Sequence, residues 1–238
     1  MKSEIVVFLL TVLIVYGSAK SCETDRLSHC QTRFNHYLGI EGDADWHDPG
    51  RLEYALYKIF SKDIDGLLKV CSAYTQLYQC LGDEYWSCIT PLYFAQQHYD
   101  KMKAYAFVGV VKSLRFMCVG GLQVGVANWA CIIQTMATKN MQLNQCLDAY
   151  NKTVLADPSS LCSDASTLLT CYSKQYSQVC SYNKESAWWA CEYIRAATAL
   201  GHICPSLSCS VGATELESKT KGAERLQQIL QTKNVDKH

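Results

Sequence analysis

Leu67 to Cys88 reads LLKVCSAYTQLYQCLGDEYWSC, with cysteines at 71, 80 and 88. Ile64, Leu67, Leu68, Cys71, Tyr74, Tyr78 and Leu81 recur at three- and four-residue steps, the period of an amphipathic helix. Ser61 stands where a cap belongs, and Gly82 is a natural stop. Nine residues separate Cys71 from Cys80 in register, and nine steps of about 100° leave two side chains roughly half a turn apart. A disulfide needs Cα atoms within about 7 Å, so these two cysteines cannot bond each other on an intact helix. Each must reach a different neighbour. A helix stapled on two sides implies a rigid, layered bundle of helices.

The rest of the chain repeats the helical rhythm. Leu27, Cys30, Phe34, Tyr37 and Leu38 share a face, with Gly39 as C-cap. Asp48-Pro49 reads as an N-cap and first helical position. Thr90-Pro91 opens what the pattern predicts as one long helix toward Cys118, closed by Gly120-Gly121. Further helices are expected over about 122–138, 141–150, 159–180 and 186–203. No stretch sustains period-two alternation. The expected fold class is all-α, a disulfide-stapled helical bundle.

Fourteen cysteines stand at 22, 30, 71, 80, 88, 118, 131, 146, 162, 171, 180, 191, 204 and 209: Cys22, Cys30, Cys71, Cys80, Cys88, Cys118, Cys131, Cys146, Cys162, Cys171, Cys180, Cys191, Cys204 and Cys209. All follow an N-terminal stretch ordered like a secretory signal peptide. Met1-Lys2 is the charged start, Ile5 to Tyr16 the apolar run, and Gly17-Ser18-Ala19 the small residues before a cut at Lys20. That run is shorter than the roughly 20 apolar residues of a membrane span, and no later stretch reaches that length. The expectation is a signal peptide over 1–19, secretion to the extracellular space, and seven disulfides from an even count.

Spacing also suggests internal repetition. Cys71, Cys80 and Cys88 enclose eight and seven residues, and Cys162, Cys171 and Cys180 enclose eight and eight. Cys118 to Cys131 and Cys191 to Cys204 each enclose twelve. Two cysteine-rich helical units are expected, 20–155 and 156–211, each closing its own disulfides, followed by a charged tail over 212–238. Within that tail Glu215 to Leu230 can form a helix with Leu216, Leu226, Ile229 and Leu230 as its apolar positions. It reads either as a frayed extension or as a partner-binding helix.

Lys plus Arg and Asp plus Glu balance at 22 each. Such neutrality argues against a nucleic-acid or anionic-membrane surface. No cofactor motif is present. Glu41, Asp43, Asp45, His47 and Asp48 cluster in one segment, but an EF-hand beginning at Asp43 would require Gly and Glu where Asp48 and Tyr54 stand. The histidines at 29, 36, 47, 98, 202 and 238 form no H-x-x-x-H set, so no metal ligands are assigned. His98 and Asp100 read as a polar helix face, and no G-x-S-x-G is present, so no catalytic residues are assigned either. Asn151-Lys152-Thr153 is an N-glycosylation sequon, placed by this reading in an exposed linker near Asn151–Pro158.

The Leu67–Cys88 stretch, followed by Ser113-Leu114-Arg115-Phe116-Met117-Cys118, is similar to the cysteine-rich helical domains of secreted invertebrate proteins, especially the chondroitin-proteoglycan-4-like domain. The likeness spans residues 22–150. It implies an extracellular, non-enzymatic protein. The chain contains no Ser-Gly dipeptide, the usual glycosaminoglycan attachment cue. The leading expectation is thus a secreted, monomeric, non-enzymatic protein that binds extracellular molecules or serves in a matrix or body fluid. The first alternative is a carrier of small apolar ligands, with Tyr93-Phe94, Tyr105 to Phe107 and Trp188-Trp189 either lining a cavity or packing a core. The second is a secreted hydrolase.

Overall fold

A computed structural model describes residues 20–198 and 204–209. The expected signal peptide over 1–19 and the tail over 212–238 lie outside the described residues. Among those described, the chain is helical throughout and contains no strand.

Helix α1 spans Thr24–Leu38 and ends at Gly39, whose φ of 72° is the left-handed conformation of a C-cap. Helix α2, Pro49–Phe60, starts where Asp48 accepts the Arg51 N–H at 3.1 Å. Helix α3 is Ile64–Leu81. Its cap is Asp63, which accepts the Gly66 N–H at 2.7 Å. Ser61, the expected cap, instead ends α2 by donating its backbone N–H to Tyr57. Gly82 stops α3 at a φ of 53°.

A 3-10 turn over Gly82–Glu84 leads into the one-turn α4, Tyr85–Cys88. The single long helix expected from Thr90 toward Cys118 is in fact two. Helix α5, Pro91–Gln96, is broken at His98, whose φ is 60°. Asp100 then caps α6, Lys101–Arg115, by accepting the Lys103 N–H at 2.9 Å. His98 and Asp100 therefore form a helix break rather than the polar face of a helix. Helix α6 runs into a π-helical turn, Phe116–Gly120, and the chain then bends by 106° into α7, Leu122–Thr138.

Helix α8 covers Asn140–Ala156, well past the expected end at 150. The segment read as a linker is thus helical through Ala156, followed by a 3-10 turn at Pro158–Ser160. Helices α9, Leu161–Val179, and α10, Lys184–Ala197, complete the array. Asn183 caps α10 by accepting the Glu185 N–H at 2.8 Å.

All fourteen cysteines are paired. Cys71 reaches Cys118 and Cys80 reaches Cys30, so the nine-residue step does send them to different neighbours. Cys162 and Cys171 behave the same way, bonding Cys204 and Cys146. The expected division near residue 155 fails, because Cys131–Cys180 and Cys146–Cys171 cross it. The disulfides separate elsewhere. Cys22–Cys88, Cys30–Cys80 and Cys71–Cys118 form one closed set. Cys131–Cys180, Cys146–Cys171, Cys162–Cys204 and Cys191–Cys209 form another. No bond joins the sets across residues 119–130. In both, the first six cysteines other than Cys191 pair identically: first with fifth, second with fourth, third with sixth.

The two sets nevertheless share a core. Helix α10 packs on α6 as well as on α7 and α9, and α2 packs on both α3 and α6. Buried side chains run continuously from Leu27 on α1 to Ile194 on α10. Trp129 on α7 donates its indole N–H to the Asp63 carbonyl at 3.1 Å, and Trp189 on α10 donates to Gly121 at 3.2 Å. The α6–α10 approach depends on Gly109. A Cβ there would lie 2.0 Å from the Ala197 carbonyl oxygen.

Candidate functional site

A solvent-open groove of about 350 Å³ lies across the seam between the two disulfide sets. One wall is α4 and the residue after it, with Tyr85, Trp86 and Ile89. The second is the end of α6 and the π turn, from Lys112 through Gly120. The third is the C-terminal part of α10, with Glu192, Arg195 and Ala196. Each wall carries a disulfide. Cys88 lies between Trp86 and Ile89, Cys118 between Phe116 and Val119, and Cys191 directly precedes Glu192. The π turn widens the helix by one residue per turn, and such turns recur at functional sites. Here it carries Phe116 and Val119 into the groove.

The lining is mainly apolar and aromatic. Tyr85 is fully buried beneath Trp86, ring edge against ring face at 5.1 Å, and its hydroxyl meets that of Tyr74 at 3.0 Å. Burial, reinforced by Tyr74, holds the Tyr85 phenol neutral far above its ordinary range. Phe116 packs on Trp188 at 5.7 Å and on Trp189 at 5.8 Å. At the rim Trp86 is 57% exposed and Val119 64%. These are large apolar surfaces left open to water beside the groove.

The charged groups are unevenly distributed. Lys112 and Arg115, three apart on α6, fall on the same helical face. Arg115 lies over the Trp86 ring at 4.5 Å. Arg195 on α10 is held by Glu192, which accepts from its Nε at 2.9 Å. Three cations and one carboxylate leave the groove two positive charges in excess on a chain of zero net charge. Arg195 is neutralised by Glu192 and Arg115 is spread over an aromatic face. Lys112 has no carboxylate within 4.0 Å among the described residues, and partial burial holds its ammonium below the usual lysine range.

The residues singled out in the sequence lie elsewhere. Asp45 accepts the His47 backbone N–H at 2.7 Å and meets its imidazole Nδ1 at 2.9 Å, closing a short turn. Asp48 is occupied in capping α2. Among the described residues no group of three or more His, Cys, Asp or Glu side chains is placed to hold a metal ion. No single described helix is long and apolar enough to cross a membrane. Tyr93, Phe94 and Phe107 are core residues, Phe94 tilted against Trp46 and Phe107 edge-on to it, while Tyr105 is exposed. Trp189 is core as well. Trp188 lines a second, hydroxyl-rich depression with Ser166, Thr170, Ser173 and Ser177. Asn151 lies on the exposed face of α8.

Trp86, Arg115 and Phe116 fall within the two stretches that carry the family resemblance, but nothing in those stretches marks a groove. Lys112, Arg115, Phe116, Trp86 and Arg195 come from three separated segments. The i, i+3 spacing of Lys112 with Arg115 is a further signal, but it is common on any helix. The chain matches no family model, no curated protein and no solved structure.

Proposed function

We propose that this is an extracellular, non-enzymatic binding protein whose groove receives a small, largely apolar ligand. Seven intramolecular disulfides are typical of secreted proteins. The observation that carries the reading is that all three groove walls are pinned by disulfides, at Cys88, Cys118 and Cys191. Each of these bonds ties a wall to its own disulfide set, and the packing of α10 on α6, with Gly109 against the Ala197 carbonyl, holds the walls together. A cleft formed before the ligand arrives loses little freedom on binding, which is the general route to affinity in a small site. Its volume is at the low end of ligand pockets, about 300–1,000 Å³. The matching connectivity of the two disulfide sets supports a chain built from two related units, and clefts between units are common ligand sites. The resemblance of Leu67–Cys88 to secreted helical domains points to the same extracellular setting.

The test is fluorescence of the neutral apolar dye N-phenyl-1-naphthylamine on titration with the secreted protein. Saturable enhancement in wild type, lost in Val119→Asp, supports the reading. Absence of saturable binding, or equal binding by Val119→Asp, refutes it.

A further inference from the structure

We propose that the ligand of this groove is an amphipathic organic anion, its head held at Lys112 and Arg115 and its apolar body laid along Ile89, Phe116 and Val119. This deepens the reading above and rests on it.

Charge complementarity selects the head group. The groove concentrates two surplus positive charges on a neutral chain, and a cleft with low-dielectric walls focuses such a field. Lys112 is the focus. It is half-buried and has no carboxylate partner within 4.0 Å among the described residues, whereas Arg195 already has Glu192. A partly desolvated, unpaired ammonium is costly, and an arriving anion relieves that cost. Arg115 sits one helical turn further along, anchored on Trp86, and its guanidinium keeps donors available for an oxyanion.

Shape selects the body. Tyr85, Ile89, Phe116 and Val119 offer no charge to a ligand, so the tail must be apolar. At roughly 30 Å³ per water-sized group, about 350 Å³ holds about a dozen heavy atoms. A ten-carbon monocarboxylate has that size. A long polymer or a nucleic acid does not fit the description.

The experiment is isothermal titration of the disulfide-intact secreted protein with decanoate, decanol and decyltrimethylammonium. Decanoate is expected to bind at least about tenfold more tightly than decanol, and the cation not to bind detectably. The decanoate advantage should shrink as salt rises, because the head is partly exposed. Lys112→Met keeps the apolar stem and removes the charge. It should erase most of the preference for decanoate and leave decanol affinity unchanged. Lys62→Met, outside the groove, should behave as wild type, and near-UV circular dichroism reports whether each variant is folded. Equal binding of decanoate and decanol, or a preference that survives Lys112→Met, overturns the proposal while leaving apolar ligand binding intact. Failure of decanoate both to give heat at two temperatures and to displace N-phenyl-1-naphthylamine, as expected if the groove seats a protein partner, also overturns it. Loss of N-phenyl-1-naphthylamine binding as well would show that the broader reading has failed with it.

Discussion

The Arg115 guanidinium lies 4.5 Å above the Trp86 ring, the one cation–aromatic contact among the described residues that borders the groove. It couples the wall built from α4 to the wall built from α6. A contact of this kind at an exposed site is worth about 0.5–1 kcal/mol, so it positions both groups without holding up the fold. Trp86→Ala is therefore expected to cost about 1 kcal/mol or less in urea unfolding. Phe107→Ala, at a fully buried ring among Trp46 and Phe94, should cost about 3–5 kcal/mol. Similar losses at the two positions would contradict the exposed, positioning role of Trp86.

Peptide mapping of the unreduced protein should find seven linkages in two groups. No disulfide-linked pair should combine a cysteine up to 118 with one from 131 onward. A single cross-linked peptide of that kind would break the seam on which the groove is placed.

Gly109→Ala should be among the most damaging small substitutions. Its new methyl would meet the Ala197 carbonyl oxygen at 2.0 Å, where two helix backbones touch and neither can retreat cheaply. A loss of about 2 kcal/mol or more is expected from such overpacking. Gly39→Ala meets nothing within 4 Å and suffers only from its left-handed φ, at about 1–2 kcal/mol. Thermal unfolding of both variants, with disulfides intact, gives the comparison. A milder loss at Gly109 than at Gly39 would count against the close α6–α10 approach.

Alkaline pH should unfold the protein cooperatively. Burial, reinforced by the Glu53 charge, pushes Tyr172 up to about 12 from 10.0, and burial raises Tyr85, Tyr176 and Tyr193 in the same direction. The folded state then keeps protons that the unfolded state releases. The stability linked to these phenols is complete below the unfolded value of 10.0 and is lost as pH climbs through about 12. At about 1.4 kcal/mol per unit, Tyr172 alone accounts for on the order of 2–3 kcal/mol across that window. Tyrosinate absorbance of the buried set should appear together with the loss of near-UV circular dichroism, read within seconds of a pH jump. Titration of those phenols near pH 10 with the fold intact would contradict their burial.

Asn151 should carry an N-linked glycan when the chain is made in a eukaryotic secretory host. It stands exposed on α8, where the transferase can reach it. Peptide N-glycosidase should lower the apparent mass of wild type and leave Asn151→Gln unchanged. No shift in wild type would show that the sequon is unused.

Most of the helices were legible because their signals are local. Asp48-Pro49, Gly39 and Gly82 act through their own backbone geometry, and apolar spacing reports which face is buried. The structure departs from the local signals at places where tertiary packing decides. Nothing local announces the break at His98, since Thr90 to Cys118 contains no glycine or proline at that point. Ser61 and Asp63 both qualify as caps by type, and the selection depends on which one the turn brings to the Gly66 N–H. The spacing of cysteines revealed that neighbours on one helix must bond apart, but not with whom. A boundary placed by sequence distance fell at 155, whereas connectivity places it before Cys131. The groove was not legible at all. Its residues converge from α4, α6 and α10, and only packing brings them together.

The disulfide seam bears on how the molecule is made. A chain emerges N-terminus first, and its early portions fold before the later ones exist. Cys118 is the last thiol that the first set awaits, so that set can finish oxidising before Cys131 has a partner. Six thiols then choose among about 15 pairings and eight among about 105, where fourteen mixed together would face over a hundred thousand. Residues 119–130 thus divide one large sorting problem into two small ones taken in order. The groove is finished last, when α10 arrives to close its third wall.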